Sequence, residues 1–156
     1  MRNLNAVILV AFMAMVVTGT LTAQTQADLD AQRAQIQSDR NAIVASELPL
    51  TTDQAATFWP LYKQYRGEMV KVGDRMAKLI TDYAKSYNTT LTDEQAGVLL
   101  KEFLAVQGEM LKIKEQFVPR FGAILPPKSV LRFYQIENKL DVYLMKNLVA
   151  QVPLAK

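Results

Sequence analysis

Two copies of one short pattern constrain this chain most. Leu50-Thr51-Thr52-Asp53-Gln54-Ala55 and Leu91-Thr92-Asp93-Glu94-Gln95-Ala96 stand 41 positions apart (91 − 50). Each reads as the start of a long helix, with Thr51 or Thr92 at the N-cap and Gln54 or Gln95 at the third helical position. In such a capping box the threonine hydroxyl accepts from a free N–H of the first turn. The glutamine side chain returns to the cap residue's own N–H. Leu50 and Leu91 fall at the staple position before each cap, although their partners Ala55 and Ala96 are small.

The residues after each start keep a helical rhythm. Phe58, Tyr62, Tyr65, Met69, Val72, Met76, Leu79, Tyr83 and Tyr87 step by fours and threes, and so do Leu99, Phe103, Val106, Met110, Ile113, Phe117, Phe121 and Ile124. At about 100° per residue, each series is one apolar stripe. Helices are predicted over 52–87 and 93–123. A first helix over 28–47 carries Leu29, Ile36 and Ile43 on an otherwise polar surface. A fourth follows Pro126-Pro127 and runs to about 150, with Val130, Phe133, Ile136, Leu140, Tyr143 and Leu144 facing inward. The expected class is all-α: about four long antiparallel helices in a cradle-like or elongated bundle. Pro60 and Pro119 lie roughly 200° from Phe58 and Leu99, on the water side, and would bow their helices toward the apolar face.

A second row runs along the third helix: Leu100, Leu104, Leu111 and Val118, with Trp59 and Val70 as a sparser counterpart on the second. One reading makes the third helix central, touching two neighbours in one bundle. The other makes these six residues a subunit interface or a client-binding face, because a domain this small has few places to hide two wide apolar faces.

Residues 1–23 read as a secretory signal peptide, leaving 24–156 as a single helical domain. Arg2 supplies the positive start, and Ala6 to Val17 is a 12-residue apolar run. As a helix it would be about 18 Å long, against about 30 Å for a bilayer core, so it is too short to span. Ala23 is the expected cleavage point, with Ala27 as an alternative. Export to the periplasm without a stable membrane anchor follows, since the chain has no cysteine to carry a lipid. Loss of Arg2 lowers the net charge from +3 to +2, because no acid precedes Asp28. That small excess is spread along the chain and offers no nucleic-acid footprint.

Chemistry-bearing patterns are sparse. The chain has no histidine and no cysteine, which removes the commonest general base, the thiol nucleophile and the main zinc and copper ligands. Ser38, Ser46, Ser86 and Ser129 lack any surrounding motif. The isolated glycines form no phosphate loop. Asp53 and the Asp93-Glu94 pair belong to first helical turns, where acids meet the positive end of the helix. Met69, Met76 and Met110 fall on the inner stripes. Asn88-Thr89-Thr90 reads as turn residues. No enzyme, cofactor or metal is expected; a carboxylate enzyme would need convergent acids that the helical positions do not suggest. Within Tyr134-Gln135-Ile136-Glu137-Asn138-Lys139, Glu137 and Asn138 sit among apolar neighbours, as a buried polar contact that sets helix register would.

The paired Leu-Thr-x-x-Gln pattern (Leu50, Thr51, Gln54; Leu91, Thr92, Gln95) on an exported helical chain resembles the periplasmic LTxxQ-motif family. That family includes the Spy-like chaperones and the Cpx-pathway accessory proteins. The segments 58–62 and 132–140 look more like a related, uncharacterised group of exported bacterial proteins. The resemblance implies a curved antiparallel homodimer that holds unfolded or partly folded proteins without ATP during envelope stress. The alternative is an accessory protein that binds one envelope sensor. Some relatives bind zinc, but the histidine and cysteine ligands are missing here.

Overall fold

The computed structural model describes residues 26–87, 91–149 and 152–155. The described elements are all helical: α1 (Gln26–Glu47), α2 (Thr52–Tyr87), α3 (Asp93–Gly122) and α4 (Pro127–Val149). The expected signal peptide and the Asn88-Thr89-Thr90 turn lie outside the described residues. The chain divides into two units, Met1–Gln37 and Ser38–Lys156. Of the first, residues 26–37 form the opening turns of α1, and everything below concerns the second.

Both capping boxes form. The Gln54 N–H donates to Thr51 Oγ1 over 3.3 Å and the Thr51 N–H to Gln54 Oε1 over 3.1 Å. At α3 the corresponding distances are 3.2 and 3.0 Å between Thr92 and Gln95. Pro60 and Pro119 lie inside their helices and are exposed. Water can therefore satisfy the carbonyls that their missing N–H groups leave free. α3 ends in a tight turn in which the Leu125 N–H donates to Phe121 O. Pro127 then occupies the first helical position of α4, where its missing N–H costs nothing.

Side-chain pairs give the helix directions. Phe58 meets Phe121, Tyr65 meets Phe117, and Arg75 reaches Glu102 and Glu109, so α2 and α3 run antiparallel. Phe133 packs on Phe58 and Phe121, and the Tyr134 hydroxyl donates to Lys114 O, which sets α4 antiparallel to α3. Arg132 pairs with Glu47 and Arg40 with Glu137, so the last turns of α1 run against α4.

The core is rich in rings. Phe58, Tyr62, Tyr65, Phe117, Phe121 and Phe133 are buried together, with Val44, Leu48, Val72, Val106 and Ile113 around them. Ring centroids are 4.5 Å apart for Phe121–Phe133 and 5.4 Å for Phe58–Phe133, within the range where edge-to-face and tilted aromatic pairs attract.

On α1, among the residues whose side chains are described, Arg40 and Val44 are buried, followed by Leu48, while Ile36 is half-buried and Ile43, also half-buried, packs on the core. The helix is turned so that the Arg40 guanidinium reaches two acids on α4. Two expectations about inner faces need correction. On α4, Tyr143 is exposed. Asn138 is exposed as well, because Glu137, one position earlier and about 100° away, occupies the inward direction.

Candidate functional site

The row on α3 lies open. Leu100 and Leu104 are 59 % exposed, Leu111 is 57 % and Val118 is 44 %. Helical geometry puts these four within about 40° of one another, so they form one stripe. The inner stripe lies one position back and packs on α2 through Val106, Ile113, Phe117 and Phe121. The outer row lies about 100° round the helix from that contact and is exposed along its length.

The remaining residues singled out from sequence separate. Val70 is exposed on α2, whereas Trp59 is half-buried against the core, its ring 5.2 Å from Phe58 and 5.8 Å from Tyr62. Leu50 also packs on the core, and Leu91 is half-buried. Thr51, Gln54, Thr92 and Gln95 are occupied as helix caps, so they hold helix starts rather than a ligand. Sequence reasoning missed the exposed apolar residues of α4: Leu131, Val142, Tyr143 and Met145. The spacing of Leu131, Val142 and Met145, eleven and then three positions, places them on one face and could have identified them.

Beneath the surface lies a charged cluster. Glu137 is 1 % exposed and receives three donors: Arg40 Nη1 at 3.2 Å, Arg66 Nη1 at 3.2 Å and the Tyr62 hydroxyl at 2.8 Å. Arg40 also donates to Asp141. Three helices contribute, and two guanidinium charges face two carboxylates. Burial works against the charge on Arg40, but Glu137 and Asp141 outweigh it and hold its pKa above the ordinary arginine value. Burial, then the charge of Glu137, pushes the Tyr62 and Tyr65 phenols well above the usual tyrosine range, and Tyr134 up to about 12. Arg40 Nε and the Tyr65 hydroxyl are buried with no hydrogen-bond partner among the described residues.

This cluster ties α1, α2 and α4 together, with Glu137 accepting from two guanidinium groups and one phenol. Among the described residues, no group of three potential metal-ligating side chains converges and no helix is long and apolar enough to cross a membrane. Arg40 was hidden in sequence by the polar residues around it; its place four before Val44 and eight before Leu48 was the available signal.

No protein-family model matches the chain, and neither a curated protein nor a solved structure matches it.

Proposed function

We propose that this chain is an exported, non-enzymatic protein that binds other polypeptides and holds them without ATP. The observation that carries this reading is the open apolar row Leu100, Leu104, Leu111 and Val118, joined by exposed Leu131, Val142, Tyr143 and Met145 on α4. Apolar side chains repeated at helical spacing on the solvent face cost solubility and contribute nothing to a fold whose core lies on the other face. Binding unfolded segments gives them a role. Lysines and arginines distributed around these faces would keep the protein soluble and meet acidic stretches of a client. The LTxxQ resemblance of the two capped helix starts supports the same reading and the periplasmic setting.

Light scattering tests the proposal. The purified protein should suppress aggregation of an unrelated unfolding client at near-stoichiometric ratio, and absence of suppression would remove the holding activity. Capture of a single envelope sensor, without general clients, would point to the accessory role instead.

A further inference from the structure

We propose that the open end of the α2–α3 pair is a site for an extended, proline-bearing polypeptide segment, and that the chain's own residues 152–155 are its resident, lightly held occupant. The inference deepens the polypeptide-binding reading and rests on it: it gives that binding a second place and a segment chemistry. The open end is where α2 stops and α3 starts, and no described residue between positions 77 and 105 is buried there. After α4 the chain returns to this end. The Tyr83 hydroxyl donates to the Pro153 carbonyl oxygen over 2.7 Å, across 70 positions of sequence. Val152, next to it in the chain, is half-buried, whereas Pro153, Leu154 and Ala155 are exposed, Leu154 at 89 %.

The chemistry of the resident segment names the class of occupant. A residue before proline is driven to extended backbone, and proline fixes its own φ at about −65°. Such a segment loses little freedom on docking, and its carbonyls have no partner within the segment itself. Its physical complement is a surface of aromatic rings with a hydroxyl donor: the rings cover apolar side chains and the hydroxyl takes a carbonyl. Tyr83 and Tyr87 supply that surface, with ring centroids 5.9 Å apart and planes at 45°. Both are half-buried, so each ring keeps an open part. Leu79, Ile80, Leu91 and Leu99 at the same end are half-buried too, and Phe103 is 40 % exposed.

Other kinds of segment fit this end less well. The interior of a helix has no carbonyl to give Tyr83, because its carbonyls are bonded within the helix. A strand partner needs a sheet edge, and the described elements are all helical. The resident segment is held by one main-chain hydrogen bond and a half-buried valine, with Leu154 turned to water, so it can be displaced. Tethered to α4, it competes at an effective concentration on the order of 1 mM. An incoming segment with a proline and apolar side chains that reach Leu79, Leu99 and Phe103 makes contacts that the resident one leaves open.

Fluorescence anisotropy with a labelled, end-capped peptide, Gln-Val-Pro-Leu-Ala-Lys, tests the site. Deleting residues 152–156 removes no residue of α1 to α4, so helicity and the unfolding midpoint should stay at parent values. With its tethered competitor gone, the shortened chain should bind the peptide at least about tenfold more tightly than the full chain does. Tyr83→Phe in the shortened chain keeps the ring and loses the donor, and should weaken binding about fivefold. Replacing the peptide's proline by alanine should weaken it by a similar factor. No binding to the shortened chain, equal binding by both chains, or indifference to either substitution would each overturn the proposal. Light scattering on the parent reads the holding activity separately. A protein that suppresses aggregation but ignores the peptide loses this inference alone, and one that binds the peptide but suppresses nothing loses the holding activity alone.

Discussion

Where α2 begins and α3 ends, four helices converge on Phe58, Tyr62, Tyr65, Phe117, Phe121 and Phe133, and all six rings are buried. Where α2 ends and α3 begins, no described residue between positions 77 and 105 is buried, although Leu79, Ile80, Tyr83, Leu99 and Phe103 continue the same stripes. The apolar periodicity is equal at the two ends; the number of covering helices is not. At the first end α4 lays Phe133 and Tyr134 across the gap between α2 and α3 and ties Glu137 to α2 and α1, and α1 adds Val44 and Leu48. At the second, the α2–α3 contact is held by Arg75 to Glu102 and Glu109, at the surface. A periodic stripe therefore says which side of a helix is apolar, while burial depends on whether a third element arrives to close that side.

The largest expected effect breaks the packed end. Phe121→Ala removes a ring that touches Phe58, Tyr65, Phe117 and Phe133, and it should cost about 3–5 kcal/mol in urea unfolding. Phe103→Ala, on the corresponding stripe of the open end, should cost less than about 1 kcal/mol, because the ring is already 40 % exposed. Equal costs would erase the contrast.

Next in size is the ionic cluster. Glu137→Gln keeps the shape of the side chain but leaves Arg40 and Arg66 facing a neutral amide in a buried site. Breaking a buried pair from one side costs about 3 kcal/mol, and unfolding midpoints should show it. A near-neutral result would mean that water reaches the cluster.

Alkali attacks the same end more gradually. The folded state holds the Tyr62, Tyr65 and Tyr134 phenols above their unfolded value near pH 10, so the native state keeps protons that the unfolded chain releases. Their contribution is complete below about pH 10 and is lost as pH rises toward the folded values, at up to about 1.4 kcal/mol per tyrosine per pH unit. Urea unfolding from pH 9 upward should show stability falling only above about pH 10, and near-ultraviolet absorbance should show these phenols ionising with unfolding. A flat profile above pH 10 would show that the hydroxyls are solvated.

The sequence carried the helices further than it carried their surroundings. Both helix starts were legible because a capping box is local: two residues specify two hydrogen bonds, and both form at Thr51 and at Thr92. The stripes of α2 and α3 were legible for the same reason. The cluster at Glu137 was only half legible. Its burial followed from apolar neighbours, but its partners Arg40 and Arg66 lie 97 and 71 positions away, on helices whose rotation no local rule sets. The buried place of Arg40 on α1 was not legible for the same reason, since its long-range ion pair with Glu137 joins Ile43 and Val44 in setting which side turns inward. The open row on α3 was visible as a row. Its exposure required knowing that α4 comes to lie on the other side.

The smallest expected effect uses the two copies of the motif as matched probes of the two ends. Thr51→Ala and Thr92→Ala remove the same hydroxyl from the same capping box, and each frees one N–H of a first turn. Loss of such a cap costs about 1 kcal/mol where the helix start is tied to the cooperative core. α2 opens directly into Phe58 and Leu61, with Leu50 packed on the core, so the full cost of Thr51→Ala should appear in global unfolding. α3 opens into exposed Val98 and half-buried Leu99. Its first turn can fray without disturbing Val106 or the rings beyond it, so Thr92→Ala should leave the global midpoint nearly unchanged. It should instead accelerate amide hydrogen exchange locally, over roughly the first turns of α3. Equal shifts of the midpoint would mean that the open end unfolds together with the packed one, and that the side chains between 77 and 105 are held by a partner that one copy of the chain does not supply.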